Sequence, residues 1–141
     1  MHSRTVAAVV AVAGVLMLTG CGSGTPAATP GVVRVTAAEN FWGDIAKQIG
    51  GAHVSVTSII SNPNTDPHLY EGDPRDSAAI DTAQLVIENG LGYVDFVAKT
   101  LAAAGGSDRR FLVVQKELGV TGSDGNRHVW YWTARLPQVA A

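Results

Sequence analysis

The chain has 141 residues, a formal net charge of −2 and 46% hydrophobic residues, which together predict one globular domain of ordinary size. Basic residues are not in excess and do not alternate with aromatic ones, so we expect no nucleic-acid partner. Cys21 is the only cysteine, which excludes an internal disulfide.

Residues 1–20 predict a targeting signal. Arg4 supplies a positive start, and the apolar run from Val6 to Leu18 is too short to span a bilayer as a helix. The run closes in Leu-Thr-Gly-Cys, which resembles a bacterial lipobox, where the cysteine, here Cys21, receives a lipid and becomes the mature N-terminus. The alternative is an ordinary secretory signal with an incidental cysteine. Residues 21–31 lack large apolar side chains and predict a flexible tether.

Strands and helices alternate along the rest of the chain. The predicted order is strand Val32 to Ala37, helix Glu39 to Gly50, strand Val54 to Ile60, a helix opened by Asp73-Pro74, strand Leu85 to Ile87, helix Tyr93 to Ala104 and strand Phe111 to Val114. This alternation predicts an α/β fold with a four-stranded, mainly parallel sheet flanked by helices. Ligands of such sheets gather at the carboxyl ends of the strands.

The C-terminal part is predicted to be less regular. Lys116 to Asn126 is polar and contains glycine, His128 to Trp132 is an aromatic cluster, and Leu136 to Ala141 resembles the start of a helix. Because nothing terminates a helix so short, we expect a chain that stops early.

Two histidines are the candidate metal ligands. His68 follows two prolines, Pro63 and Pro67, which fix φ and stiffen a loop at the end of the second strand. His128 follows the loop after the fourth strand, so both imidazoles are predicted at one edge of the sheet. Neutral imidazole is a common ligand of zinc and other first-row metals. Residue types and spacing alone leave a second interpretation open, namely two unrelated surface histidines.

Three stretches carry a family resemblance: Ser61 to Glu71 with its Asp-Pro-His, Asn89 to Tyr93, and Asn126 to Tyr131. They resemble the zinc- and manganese-binding lipoproteins of bacterial ABC transporters. The resemblance implies that His68 and His128 are metal ligands, and that the protein is extracytoplasmic, anchored to the cell membrane by lipid and partnered by an ABC permease. It also implies that residues 32–141 form the N-terminal lobe of a two-lobed protein whose second lobe, with the remaining ligands, is absent.

One departure concerns the second histidine. The family usually has proline before it, whereas here Arg127 precedes His128. The loop is therefore expected to be less rigid, and a cation beside the ligand to weaken metal binding modestly.

The other polar and aromatic residues receive simpler interpretations. Glu71 is a candidate to orient His68 through a hydrogen bond, although a charge near a helix is the simpler reading. Asp66 is expected to be a turn residue. Solvated charges are expected at Glu39, Asp44 and Glu88, and packing roles at Trp130 and Trp132.

The expected function is binding of a divalent transition metal, with no catalytic step. Zinc and manganese both remain open. Zinc-selective members of the family often carry a histidine-rich loop before the second ligand, whereas Lys116 to Arg127 contains no histidine. The Irving–Williams order nevertheless favours zinc at nitrogen ligands. Two other classes are weaker alternatives. One is a metal-dependent hydrolase with Glu71 as base, and the other is a non-functional remnant or adhesion-type surface domain.

Overall fold

Four parallel strands form one sheet. The computed structural model describes residues 29–104, 108–122 and 126–141, so the predicted signal and most of the predicted tether lie outside the described residues. The strands are β1 (Val33–Glu39), β2 (Val54–Ile60), β3 (Leu85–Glu88) and β4 (Arg110–Val113). Their order is β2-β1-β3-β4, and every pair is parallel. The predicted α/β class and parallel sheet are confirmed.

Five α-helices accompany the sheet in the described part of the chain. They are α1 (Asn40–Gly50), α2 (Pro74–Thr82), α3 (Asp95–Ala104), α4 (Val114–Glu117) and α5 (Leu136–Ala140). Helix α4 was not predicted, because Val114 was assigned to the fourth strand and Lys116 to a loop. One helical turn places Val114 and Leu118 on the same face, and both are buried. None of the helices within the described ranges has the length and apolarity to cross a membrane.

Each face of the sheet is covered by its own core. Val86 of β3 packs with Ile80 of α2 and Val97 of α3 on one face, whereas its neighbour Ile87 packs with Trp42 of α1 on the other. Successive side chains of a strand point to opposite faces. The continuous apolar run of β3 is therefore explained by burial on both sides.

The order of the strands at the centre of the sheet indicates where a ligand site is expected. Strand β1 pairs with β2 on one side and with β3 on the other, so the chain winds outward in opposite directions from the β1–β3 pair. Such a change of direction opens a crevice at the carboxyl ends of the two strands. Glu39 ends β1 and Glu88 ends β3, while His68 lies in the loop after the adjoining strand β2.

The first helical turn of α2 offers a test of the fold. The Asp73 carboxylate accepts hydrogen bonds from the backbone N–H groups of Arg75 (2.6 Å) and Asp76 (3.0 Å), and the Asp76 carboxylate accepts one from the backbone N–H of Asp73 (2.8 Å). We expect Asp73→Ala to lower the free energy of unfolding by about 1 kcal/mol through loss of this cap. Urea denaturation measures the change. Asp44→Ala, at an exposed position of α1, is the control and should change it by less than about 0.5 kcal/mol. Equal effects would contradict the assignment of the cap.

Candidate metal site

His68 is held by a turn that its two preceding residues create. The Asp66 carboxylate accepts a hydrogen bond from the His68 backbone N–H at 2.9 Å. Pro67 opens the 3-10 turn Pro67–Leu69, where its missing N–H removes no hydrogen bond. Asp66 is therefore a turn residue, as expected, and the His68 side chain is left exposed.

A similar turn holds His128. The Asn126 side-chain oxygen accepts from the His128 backbone N–H at 2.9 Å and lies 3.0 Å from the ring Nδ1. An amide oxygen can only accept, so this contact is a hydrogen bond in the tautomer that carries its proton on Nδ1, and Nε2 then has the free lone pair. The sequence analysis gave Asn126 no role. Its signal is an asparagine two residues before a histidine, the spacing of an Asx turn.

One tyrosine ring joins the two histidines. The ring centroid of Tyr93 lies 4.8 Å from that of His68 and 5.9 Å from that of His128, both in edge contacts. Trp130 lies 5.1 Å from Tyr93 and stacks on Phe41 of α1 at 3.9 Å. The structure thus brings the two histidines, 60 positions apart in the chain, to one edge of the sheet against one aromatic surface, and Trp130 has the packing role expected for it.

The turn that leads from β3 to Tyr93 requires glycine at position 90. Gly90, Leu91 and Gly92 all have positive φ, at 83°, 59° and 62°. A Cβ at Gly90 would lie 2.8 Å from the Cβ of Gln115, which is closer than two carbons can approach. This run of left-handed residues turns the chain sharply after β3, and Tyr93 closes the turn by donating its N–H to the Gly90 carbonyl at 3.1 Å.

A buried amide ties the His128 loop to the sheet. Asn89 follows β3 and is fully buried. Its Oδ1 accepts from the Trp42 indole N–H at 3.3 Å, and its Nδ2 donates to the Arg127 carbonyl at 2.8 Å and to that of Gly90 at 3.2 Å. The residue before His128 is thereby fixed through its backbone rather than by proline. Arg127 also directs its guanidinium to the Gly92 carbonyl at 3.5 Å, at the limit of a hydrogen bond.

Glu39 and Glu88 are buried, which corrects the expectation that both are solvated charges. Glu39 is 1% exposed and Glu88 7%. Burial and, to a smaller extent, the neighbouring Glu88 raise the pKa of Glu39 from 4.5 to about 8. Burial also raises the pKa of Glu88, to about 7, against the lowering effect of Lys116. The expectation failed because a carboxylate at a strand end is usually solvated, and only the pairing order puts these two at the centre of the sheet.

Glu71 and His53 do not form a metal cluster with the other potential ligands among the described residues. Glu71 is exposed and borders a surface pocket with His68, but it makes no hydrogen bond to His68 in the described structure. His53 is exposed and precedes β2, at the opposite end of the sheet. Across the described ranges, no three His, Cys, Asp or Glu side chains converge closely enough to hold a metal ion.

A family model matches most of this chain. The family is described as "Zinc-uptake complex component A periplasmic" (ZnuA), and the match covers residues 35–141. The chain belongs to the ZnuA family. The resemblance to metal-binding solute-binding proteins is therefore confirmed.

Two curated relatives agree with this assignment. The chain is 31% identical over 135 residues to the manganese-binding lipoprotein MntA of Bacillus subtilis, covering 88% of this chain and 44% of that protein. It is 36% identical over 78 residues to the manganese ABC transporter substrate-binding lipoprotein PsaA of Streptococcus anginosus, covering 55% of this chain and 25% of that protein. The chain thus spans less than half the length of these curated relatives.

Solved structures support the fold. The periplasmic zinc-binding protein TroA of Treponema pallidum superposes with a TM-score of 0.66 at 22% identity, covering 78% of this chain and 41% of TroA. The matched part of this chain therefore shares the fold of the corresponding part of TroA.

The Asn89 amide generates a prediction about stability. Asn89→Ala leaves the Trp42 indole N–H and the Arg127 carbonyl without their partner, and each unsatisfied buried group costs about 1–3 kcal/mol. We expect the free energy of unfolding to fall by about 2–3 kcal/mol in urea denaturation. Asn64→Ala, at an exposed loop position, is the matched control and should be nearly neutral. A neutral Asn89→Ala would mean that these hydrogen bonds do not hold the loop.

The two buried carboxyls generate a pH dependence. Between pH 4.5 and about 8 for Glu39, and 4.5 and about 7 for Glu88, the native protein retains protons that the unfolded chain loses. Their contribution to stability is complete below pH 4.5 and is lost as pH rises through these native pKa values. We expect urea denaturation across this range to show a flatter pH profile for the Glu39→Gln/Glu88→Gln double variant than for the wild type. Parallel profiles would show that neither pKa is raised.

Proposed function

We propose that this chain is the metal-binding part of an extracytoplasmic solute-binding protein that delivers zinc or manganese to an ABC permease. The observation that carries the proposal is the packing of His68 and His128 against the same Tyr93 ring. Membership of the ZnuA family supports it independently. In this proposal the metal is cargo, and no catalytic step is involved.

The two histidines are suited to a divalent transition metal. Both are exposed at one sheet edge, and an Asx turn fixes the backbone of each. Asn126 holds the Nδ1 proton of His128 and leaves Nε2 as the ligand atom. Two preorganised imidazoles bind a cation with less loss of side-chain entropy than two mobile ones, and other ligands complete the coordination shell.

The names of the relatives divide between the two metals. MntA and PsaA are named for manganese, and TroA for zinc. Nitrogen ligands alone favour zinc by the Irving–Williams order, whereas oxygen ligands suit manganese. The choice for this chain therefore depends on which oxygen atoms join His68 and His128.

The N-terminal segment fits the same role. We propose that residues 1–20 are the lipoprotein signal, that Cys21 carries the lipid and that residues 21–31 tether the lobe of residues 32–141 to the bacterial cell membrane. The MntA and PsaA relatives are named as lipoproteins. A tether of this composition lets an anchored domain meet a permease in the same membrane.

The histidine pair is tested by calorimetric titration of the full chain with Zn²⁺ and with Mn²⁺. We expect His68→Ala and His128→Ala each to lower zinc affinity by at least about 100-fold, because each removes a direct ligand. The control is His53→Ala, at an exposed position before β2, which should leave affinity unchanged. Binding that survives in the His68→Ala/His128→Ala double variant would refute the site.

A further inference from the structure

Glu39 is a buried acid without a partner. Its side chain is 1% exposed, and neither carboxyl oxygen has a hydrogen-bond partner in the described part of the chain. The backbone N–H groups of Asn89 and of Glu39 itself are near enough to lower its pKa, although neither meets the criteria for a hydrogen bond to the carboxyl within the described residues. An unpaired buried carboxyl destabilises a fold, and such exceptions point to a function or to a ligand.

The position of Glu39 relates it to the two histidines. It ends the central strand β1, between the strand that leads to His68 and the strand that leads to Tyr93. Burial, followed by the Glu39 charge, raises the pKa of the Tyr93 hydroxyl, and the two residues line the same pocket. Tyr93 is the ring against which both imidazoles pack.

A small pocket connects these residues. It has a volume of about 190 Å³, and its lining includes Glu39, Pro67 and Tyr93. Asn62 and Thr65 add polar groups to the same wall. Pro67 directly precedes His68, so the pocket runs from the end of β1 to the turn that holds this histidine. Glu39 therefore borders open space on the side of this turn.

We propose that Glu39 supplies an oxygen ligand to the cation held by His68 and His128, turning into this pocket when the cation binds. This inference rests on the proposed metal-binding function and adds to it a ligand from the same lobe. Glu39 does not converge with the histidines in the structure, so a side-chain rotation is part of the proposal. Any proton on the carboxyl passes to solvent as the metal takes its place.

An oxygen ligand from Glu39 affects the preference between zinc and manganese. Two imidazoles and a carboxylate form a harder donor set than two imidazoles alone, and carboxylate oxygen suits manganese while imidazole suits zinc. Glu39 therefore raises manganese affinity by a larger factor than zinc affinity.

The test compares Glu39→Gln with Glu88→Gln in the full chain, using Zn²⁺ and Mn²⁺ as probes in calorimetry. Glu88 is the matched control, since it is a buried glutamate at the end of the neighbouring strand β3. We expect Glu39→Gln to lower manganese affinity by at least about tenfold and zinc affinity by a smaller factor. Glu88→Gln should change both by less than about twofold.

Infrared difference spectra give a readout independent of affinity. On addition of Mn²⁺, the wild type and Glu88→Gln should show a perturbed carboxylate stretch that is missing from Glu39→Gln. Unchanged manganese affinity in Glu39→Gln, or a wild-type spectrum without that band, overturns the proposal. A wild-type spectrum without that band overturns the proposal even if Glu39→Gln does not fold.

The same titrations separate this inference from the proposed function. If His68→Ala abolishes binding while Glu39→Gln leaves it intact, only the role of Glu39 fails. If the histidine variants bind normally, the metal site itself fails.

Discussion

The buried amide of Asn89 is the interaction on which the geometry of this edge depends. One side chain joins helix α1 through Trp42, the turn after β3 through Gly90 and the His128 loop through the Arg127 carbonyl. Each of these groups needs a partner, since an unpaired polar group in the interior is costly. Satisfying all three with one residue fixes their relative positions, and the aromatic contacts of Tyr93 and Trp130 then bring His128 beside His68.

These hydrogen bonds change the interpretation of Arg127, which occupies the position where the family usually has proline. Loss of the proline usual in the family predicted a looser loop, because proline restricts the backbone before the histidine. The structure holds the loop by other means: the Arg127 carbonyl is bound by Asn89, and Asn126 caps the turn of His128. Rigidity here comes from hydrogen bonds to a buried side chain, a device that the local sequence does not reveal.

The charges at this edge of the sheet also differ from the expectation, which placed Glu39 and Glu88 in solvent. Burial raises the pKa of Glu39, at the end of β1, to about 8, with a further contribution from the nearby Glu88, and burial raises the pKa of Glu88, at the end of β3, to about 7. Two residues expected to be solvated charges are therefore buried acids whose protonation changes close to neutral pH.

The sequence by itself determined the order of the elements, the parallel sheet, the Asp73 cap and the two histidine loops. These follow from local rules: β-branched and apolar runs form strands, prolines and glycines interrupt them, and an Asp-Pro pair opens a helix. The sequence did not predict that Val114 lies in a helix, because this depends on Val114 and Leu118 being buried together. It also did not predict that Glu39 and Glu88 are buried. Only the tertiary structure decided that β1 lies between β2 and β3, which buries both acids and sets Tyr93 between the histidines. Strand order is a property of long-range packing, and no local pattern of residues encodes it.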